Sequence, residues 1–66
     1  MGFSENLIRL QAERGETNYR LAKSINVSQS SIKNWRDGVR KPFARHLKAL
    51  AEHFGVTLDE LVKESE

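Results

Sequence analysis

Gln29, Ser30, Lys33 and Asn34 fall within six consecutive positions, and each ends in a hydrogen-bonding group with no large apolar side chain among them. Amide side chains can make paired hydrogen bonds to adenine, and a hydroxyl can donate or accept at several bases. Other chemistries find less support. Ser28, Ser30 and Ser31 have no His or Lys placed to activate a nucleophile, and no Gly-rich oxyanion loop accompanies them. His46 and His53 stand seven positions apart. On a helix that is about 10.5 Å, too far to share a metal ion, so they read as surface or pH-responsive histidines. The chain has no Cys, which excludes a disulfide framework, a thiolate zinc site and a cysteine nucleophile. At 66 residues it buries only about 60% of its unfolded surface, leaving little room for a deep catalytic pocket. The expectation is a binding domain with no catalytic residue, metal or cofactor.

The charge distribution favours the same chemistry. The formal net charge is only +2. Residues 1–17 carry −1, residues 18–48 carry +7 against the single acid Asp37, and residues 49–66 carry −4. A basic middle between acidic ends is the electrostatic footprint of a nucleic-acid binder once it coincides with a suitable shape. No apolar run approaches the roughly 20 residues that span a bilayer. Met1-Gly2-Phe3-Ser4-Glu5 has neither the basic nor the apolar region of a signal peptide. A soluble, cytoplasmic protein with no membrane partner is expected.

The elements that must position these groups are helices. Phe3, Leu7 and Leu10 predict a first helix from about Ser4, as N-cap, to Arg14, ended by Gly15. Thr17 caps a second helix with Leu21, Ala22 and Ile25 inward, and Asn26 tolerates the left-handed backbone at its end. Ser28 caps a third, with Ile32 and Trp35 in the core and Asp37-Gly38 as its stop. Val39-Arg40-Lys41-Pro42 reads as a basic loop. A fourth helix runs from about Phe43 or Ala44 to Phe54 on Leu47, Leu50, Ala51 and Phe54. Phe43 either staples the loop onto the core, the favoured expectation, or lies exposed as a partner contact. Thr57-Leu58-Asp59-Glu60 is a capping box opening a fifth helix that buries Leu58 and Leu61, with Val62 at the edge of that stripe. Helical spacing of the apolar residues accounts for every segment and a sheet is not supported, so the predicted fold is all-α, one compact five-helix domain over residues 1–66.

Asn26-Val27-Ser28 leaves only three residues between the second and third helices, which must therefore cross steeply. That is a helix-turn-helix over about residues 18–37, whose second helix enters the DNA major groove. Ala22 is small where the helices approach, and Val27 fills the space under the turn. On a wheel of about 100° per residue, Ser31, Ile32 and Trp35 share the inward arc. Gln29, Ser30, Lys33, Asn34 and Asp37 share the outward one.

The chain resembles the Cro and phage-repressor (XRE-like, lambda-repressor-like) family of helix-turn-helix DNA-binding domains. The resemblance runs from about Leu7 to Val62. Its matching residues are Leu7 and Leu10, Thr17, Leu21-Ala22, Val27-Ser28, Ile32, Trp35, Gly38, Arg40-Lys41-Pro42, Leu47, Leu50-Ala51, and Gly55-Val56 with Leu58 and Leu61. It implies base reading by Gln29, Ser30, Lys33 and Asn34, and phosphate contacts from Asn18, Arg40, Lys41 and Arg45; to these the sequence adds Ser28 and Arg36 as expected phosphate contacts, Arg36 at a position where the family has no cation. Four positions depart from the family pattern. Asn18 stands for a Gln, Asn26 for a turn Gly, Arg36-Asp37 for Glu-Asn, and Glu16 for a buried apolar residue.

The function this resemblance implies is a sequence-specific, repressor-like transcription regulator of double-stranded DNA in a bacterial or phage setting, acting at the nucleoid. The alternative is an interaction module, such as an antitoxin or coactivator, whose main ligand is a protein. One reading head covers few base pairs, so a palindromic operator and a weak homodimer formed on DNA are expected. With Leu58 and Leu61 assigned to the core, Val56, Val62 and Phe43 remain for that interface. The acidic run from Asp59 to Glu66 opposes tight self-association there.

Overall fold

Gly15, Asn26, Gly38 and Gly55 all take left-handed backbone, with φ of 61°, 62°, 74° and 69°, and each ends a helix. The computed structural model describes residues 2–64. Met1, Ser65 and Glu66 lie outside the described residues, and with them the end of the acidic run. The helices are α1 (Gly2–Arg14), α2 (Asn18–Ile25), α3 (Gln29–Asp37), α4 (Ala44–Phe54) and α5 (Leu58–Val62). The fold is all-helical with five helices, and there is no strand among the described residues. None of the described helices is long and apolar enough to cross a membrane.

The four left-handed residues belong to one repeated device. The N–H of the next residue reaches five positions back: Glu16 to Gln11 at 2.9 Å, Val27 to Ala22 at 2.9 Å, Val39 to Asn34 at 3.0 Å and Val56 to Ala51 at 3.0 Å. This motif satisfies the last carbonyls of a helix and turns the following side chain back toward it. Val27 and Val56 accordingly pack on the core. Glu16 is half-buried at the equivalent place, whereas Val39 is 70% exposed. The N-termini follow the sequence reading. Thr17 accepts from the Arg20 N–H at 3.1 Å, Ser28 from the Ser31 N–H at 3.1 Å, and Thr57 and Glu60 form the reciprocal capping box.

The core joins Leu7 and Leu10 of α1, Leu21 and Ala22 of α2, and Ile32 and Trp35 of α3 to Leu50, Ala51 and Phe54 of α4 and Leu61 of α5. Trp35 is 4% exposed and meets Phe3 edge-on at 6.3 Å, a packing role.

Several expectations are corrected. Helix α1 starts at Gly2, so Ser4 is not its cap. The buried Ser4 hydroxyl instead donates to the Trp35 carbonyl at 2.6 Å, tying α1 to α3. A Cβ on Gly2 would lie 2.6 Å from the Lys63 carbonyl oxygen, so only glycine allows the start of α1 to approach the end of α5 this closely. Leu58 and Val62 are 50% and 43% exposed. Five residues of α5 present only a narrow stripe to α1 and α4, and Leu61 fills it. Val56, expected to be spare, takes the other inward place through its motif. Phe43 does not staple the loop. Its ring is 63% exposed and stacks on His46 at 5.7 Å, because His46 already covers Trp35 at 5.2 Å. The histidines are half-buried and engaged, not free surface groups. His53 Nε2 donates between the two carboxylate oxygens of Glu16, each at 2.9 Å.

Candidate nucleic-acid interface

The short α2–α3 connection depends on Asn26 holding φ 62° and ψ 50°, a region that costs most side chains energy but that Asn tolerates. Beyond it, the Ser28 cap starts α3 at Gln29, while Ile32 and Trp35 anchor its inner face. The outward arc is therefore held by a helix fixed at both ends and buried along one side.

On that arc Gln29, Ser30 and Lys33 are exposed, and Asn34 is half-buried. Lys33 Nζ donates to Asp37 Oδ2 at 2.8 Å. Both side chains are well exposed, and an exposed pair one turn apart contributes little stability. The pair does neutralise Asp37, the one acid in the basic segment, beside the face it would otherwise make repulsive. Ser28 Oγ is occupied as the cap and lies 3.0 Å from Ser31 Oγ.

Arg40 and Lys41 are exposed on the loop between α3 and α4. Arg45 is exposed on the first turn of α4, its guanidinium 5.0 Å above the Phe43 ring, a cation–π contact that keeps it near the same loop. The remaining two candidate phosphate-binding side chains are engaged inward. Asn18 accepts at Oδ1 from Gln11 Nε2 at 3.0 Å, and Arg36 Nη1 donates to Gln11 Oε1 at 2.6 Å.

Two features had no place in the sequence reading. Gln11 is 2% exposed. Its signal was present: it continues the Leu7 and Leu10 stripe at the fourth position, where a polar residue must be buried. Tyr19 is 55% exposed with Lys23 Nζ 5.6 Å from its ring centre, and both border a shallow depression with Gln29 and Val27 at the leading end of α3. An exposed aromatic one turn before a lysine was the available signal there.

A helix-turn-helix family model matches residues 8–61. The chain is similar to the HTH-type transcriptional activator BcrR of Enterococcus faecalis, 35% identical over 66 residues, which is 100% of this chain and 32% of that protein. It is also similar to a transcriptional regulator from Listeria innocua whose crystal structure gives a TM-score of 0.88 at 36% identity, covering 97% of this chain and 60% of the other. The solution structure of the SOS-response transcriptional repressor LexA from Eubacterium rectale gives a TM-score of 0.92 at 32% identity, over 98% of this chain and 69% of that one. The chain thus spans about a third of the curated relative's length.

Proposed function

The chain belongs to the Cro/C1-type helix-turn-helix family of DNA-binding domains, and from that premise we propose that it is a sequence-specific reader of double-stranded DNA in transcription regulation. Helix α3 lies in the major groove. Gln29, Ser30, Lys33 and Asn34 meet base edges, while Asn18, Ser28, Arg36, Arg40, Lys41 and Arg45 hold phosphates. The observation that carries this reading is the outward arc of α3, polar throughout and capped at its leading end, next to a loop with two exposed cations. The arc supplies donors and acceptors for bases, and the loop supplies charge for the backbone.

The reading extends to a palindromic operator bound by two copies, in the cytoplasm. Leu58 and Val62 stand one turn apart on α5 and are both exposed, so they share a face. That face is small, which fits a dimer assembled on DNA. Repression needs only occupancy of a site overlapping a promoter, and it is the regulatory outcome we propose. Among the relatives, the Enterococcus protein is named an activator and LexA a repressor.

Selection of bound sequences from a random duplex pool tests the proposal. The expected result is enrichment of one motif with two-fold symmetry. A pool left unenriched after several rounds would overturn it and favour a protein as the main ligand.

A further inference from the structure

The geometry points to Gln11 as a positioning residue that fixes which end of the Asn18 amide faces the DNA backbone. The inference rests on the DNA-binding reading above. A buried amide is costly unless both ends are paired. Gln11 meets that condition through Arg36 at its oxygen, and through Asn18 Oδ1 at 3.0 Å and the Glu16 carbonyl at 3.2 Å at its nitrogen.

The orientation of such an amide follows from its partners. A guanidinium only donates, so it requires the Gln11 oxygen, and a backbone carbonyl only accepts, so it requires the Gln11 nitrogen. Arg36 and Glu16 therefore set the polarity from two sides without reference to Asn18. Asn18 must then offer its oxygen inward, which leaves its NH2 group pointing away from Gln11. Asn18 is the first residue of α2, where backbone N–H groups also point out of the helix end. A phosphate oxygen only accepts, so this is the required polarity. The reverse orientation would present a carbonyl oxygen to the phosphate.

The same arrangement leaves Arg36 with its charge uncompensated. Among the described residues no carboxylate lies within ion-pair distance of it. Glu16, which borders the same depression as Gln11 and Arg36, pairs with His53 instead. One of the five guanidinium N–H groups holds Gln11, and the others remain for a phosphate.

Gln11→Glu separates polarity from packing. The carboxylate keeps an acceptor for Arg36 but cannot donate to Asn18, whose amide then turns its NH2 inward. The readout is a cycle of affinities for a selected duplex: parent, Asn18→Ala, Gln11→Glu and the double variant, with melting curves for each. In the parent background Asn18→Ala should cost about tenfold in affinity, as expected for a hydrogen bond to a charged group. In the Gln11→Glu background it should cost less than about twofold. A neutral methylphosphonate at the Asn18 phosphate should weaken the parent more than Gln11→Glu, in which only the backbone N–H groups of the helix end still favour its charge.

Equal losses from Asn18→Ala in both backgrounds would overturn the inference while leaving DNA binding intact. A parent chain without affinity for duplex DNA would remove the DNA reading and the inference together. Should Gln11→Glu fail to fold, side-chain amide exchange in the free parent chain decides. Slow exchange at Gln11 Nε2 and fast exchange at Asn18 Nδ2 supports the assignment, and the opposite order overturns it.

Discussion

Gln29 opens α3 exposed to solvent, at the end of the outward arc nearest Tyr19 and Lys23. Because it supports no core contact, Gln29→Ala should leave folding unchanged and cost about 1–3 kcal/mol on the preferred site. Selectivity should blur at one base position, as read by repeating the pool selection with the variant; an unchanged motif would remove Gln29 from the reading set. At this scale the sequence was informative wherever the partner is close in the chain. Thr17, Ser28 and the Thr57–Glu60 box were all legible as caps because each bonds an amide three residues on. Ser4, Gln11 and Arg36 were not, because their partners stand up to 31 positions away. Glu16 shows why: alone it is an acid in a place for an apolar residue, and only the fold brings His53 to it.

Helix α5 depends on both its ends. At its C-terminus the buried Asn6 amide donates to the Leu61 and Lys63 carbonyls at 2.8 Å each and to the Glu60 carbonyl at 3.2 Å. Asn6→Ala leaves those carbonyls without their partner and should cost about 2 kcal/mol. Chemical denaturation would measure the loss, and hydrogen exchange should place the loosening in α5; a loss spread evenly over all helices would contradict that anchor. At its N-terminus the bonds from the Thr57 backbone and hydroxyl groups hold the Glu60 carboxyl below its ordinary value of 4.5. A depressed carboxyl stabilises the folded state above its unfolded value and loses that contribution as pH falls through the folded one. The Thr57 amide resonance should therefore move as pH drops below about 4.5, and Glu60→Gln should weaken that dependence. All five helices were legible from periodicity and caps. The burial within α5 was not, because Leu58, Leu61 and Val62 are equally apolar and only packing against α1 and α4 chooses Leu61.

For the whole molecule, the exposed apolar residues near α5 are too few for a stable interface, so dimerisation should require a palindromic duplex. Sedimentation should show a monomer alone and two copies per duplex when DNA is present, whereas full affinity of one copy for an isolated half-site would contradict the dimer. The asymmetric charge seen in the sequence has its structural counterpart in the exposed Arg40 and Lys41 beside α3. With that placement, this side of the molecule should bind the DNA backbone while α3 reads bases. Equilibrium titration of the selected duplex from about 50 to 200 mM salt tests it most directly, on the full chain and on Arg40→Ala and Lys41→Ala. The expected result is a linear log–log fall in affinity with a slope near −0.9 per phosphate neutralised, flattened by about one unit in each variant with the motif unchanged. Salt-independent binding, or slopes identical in all three proteins, would mean that Arg40 and Lys41 do not hold the DNA backbone.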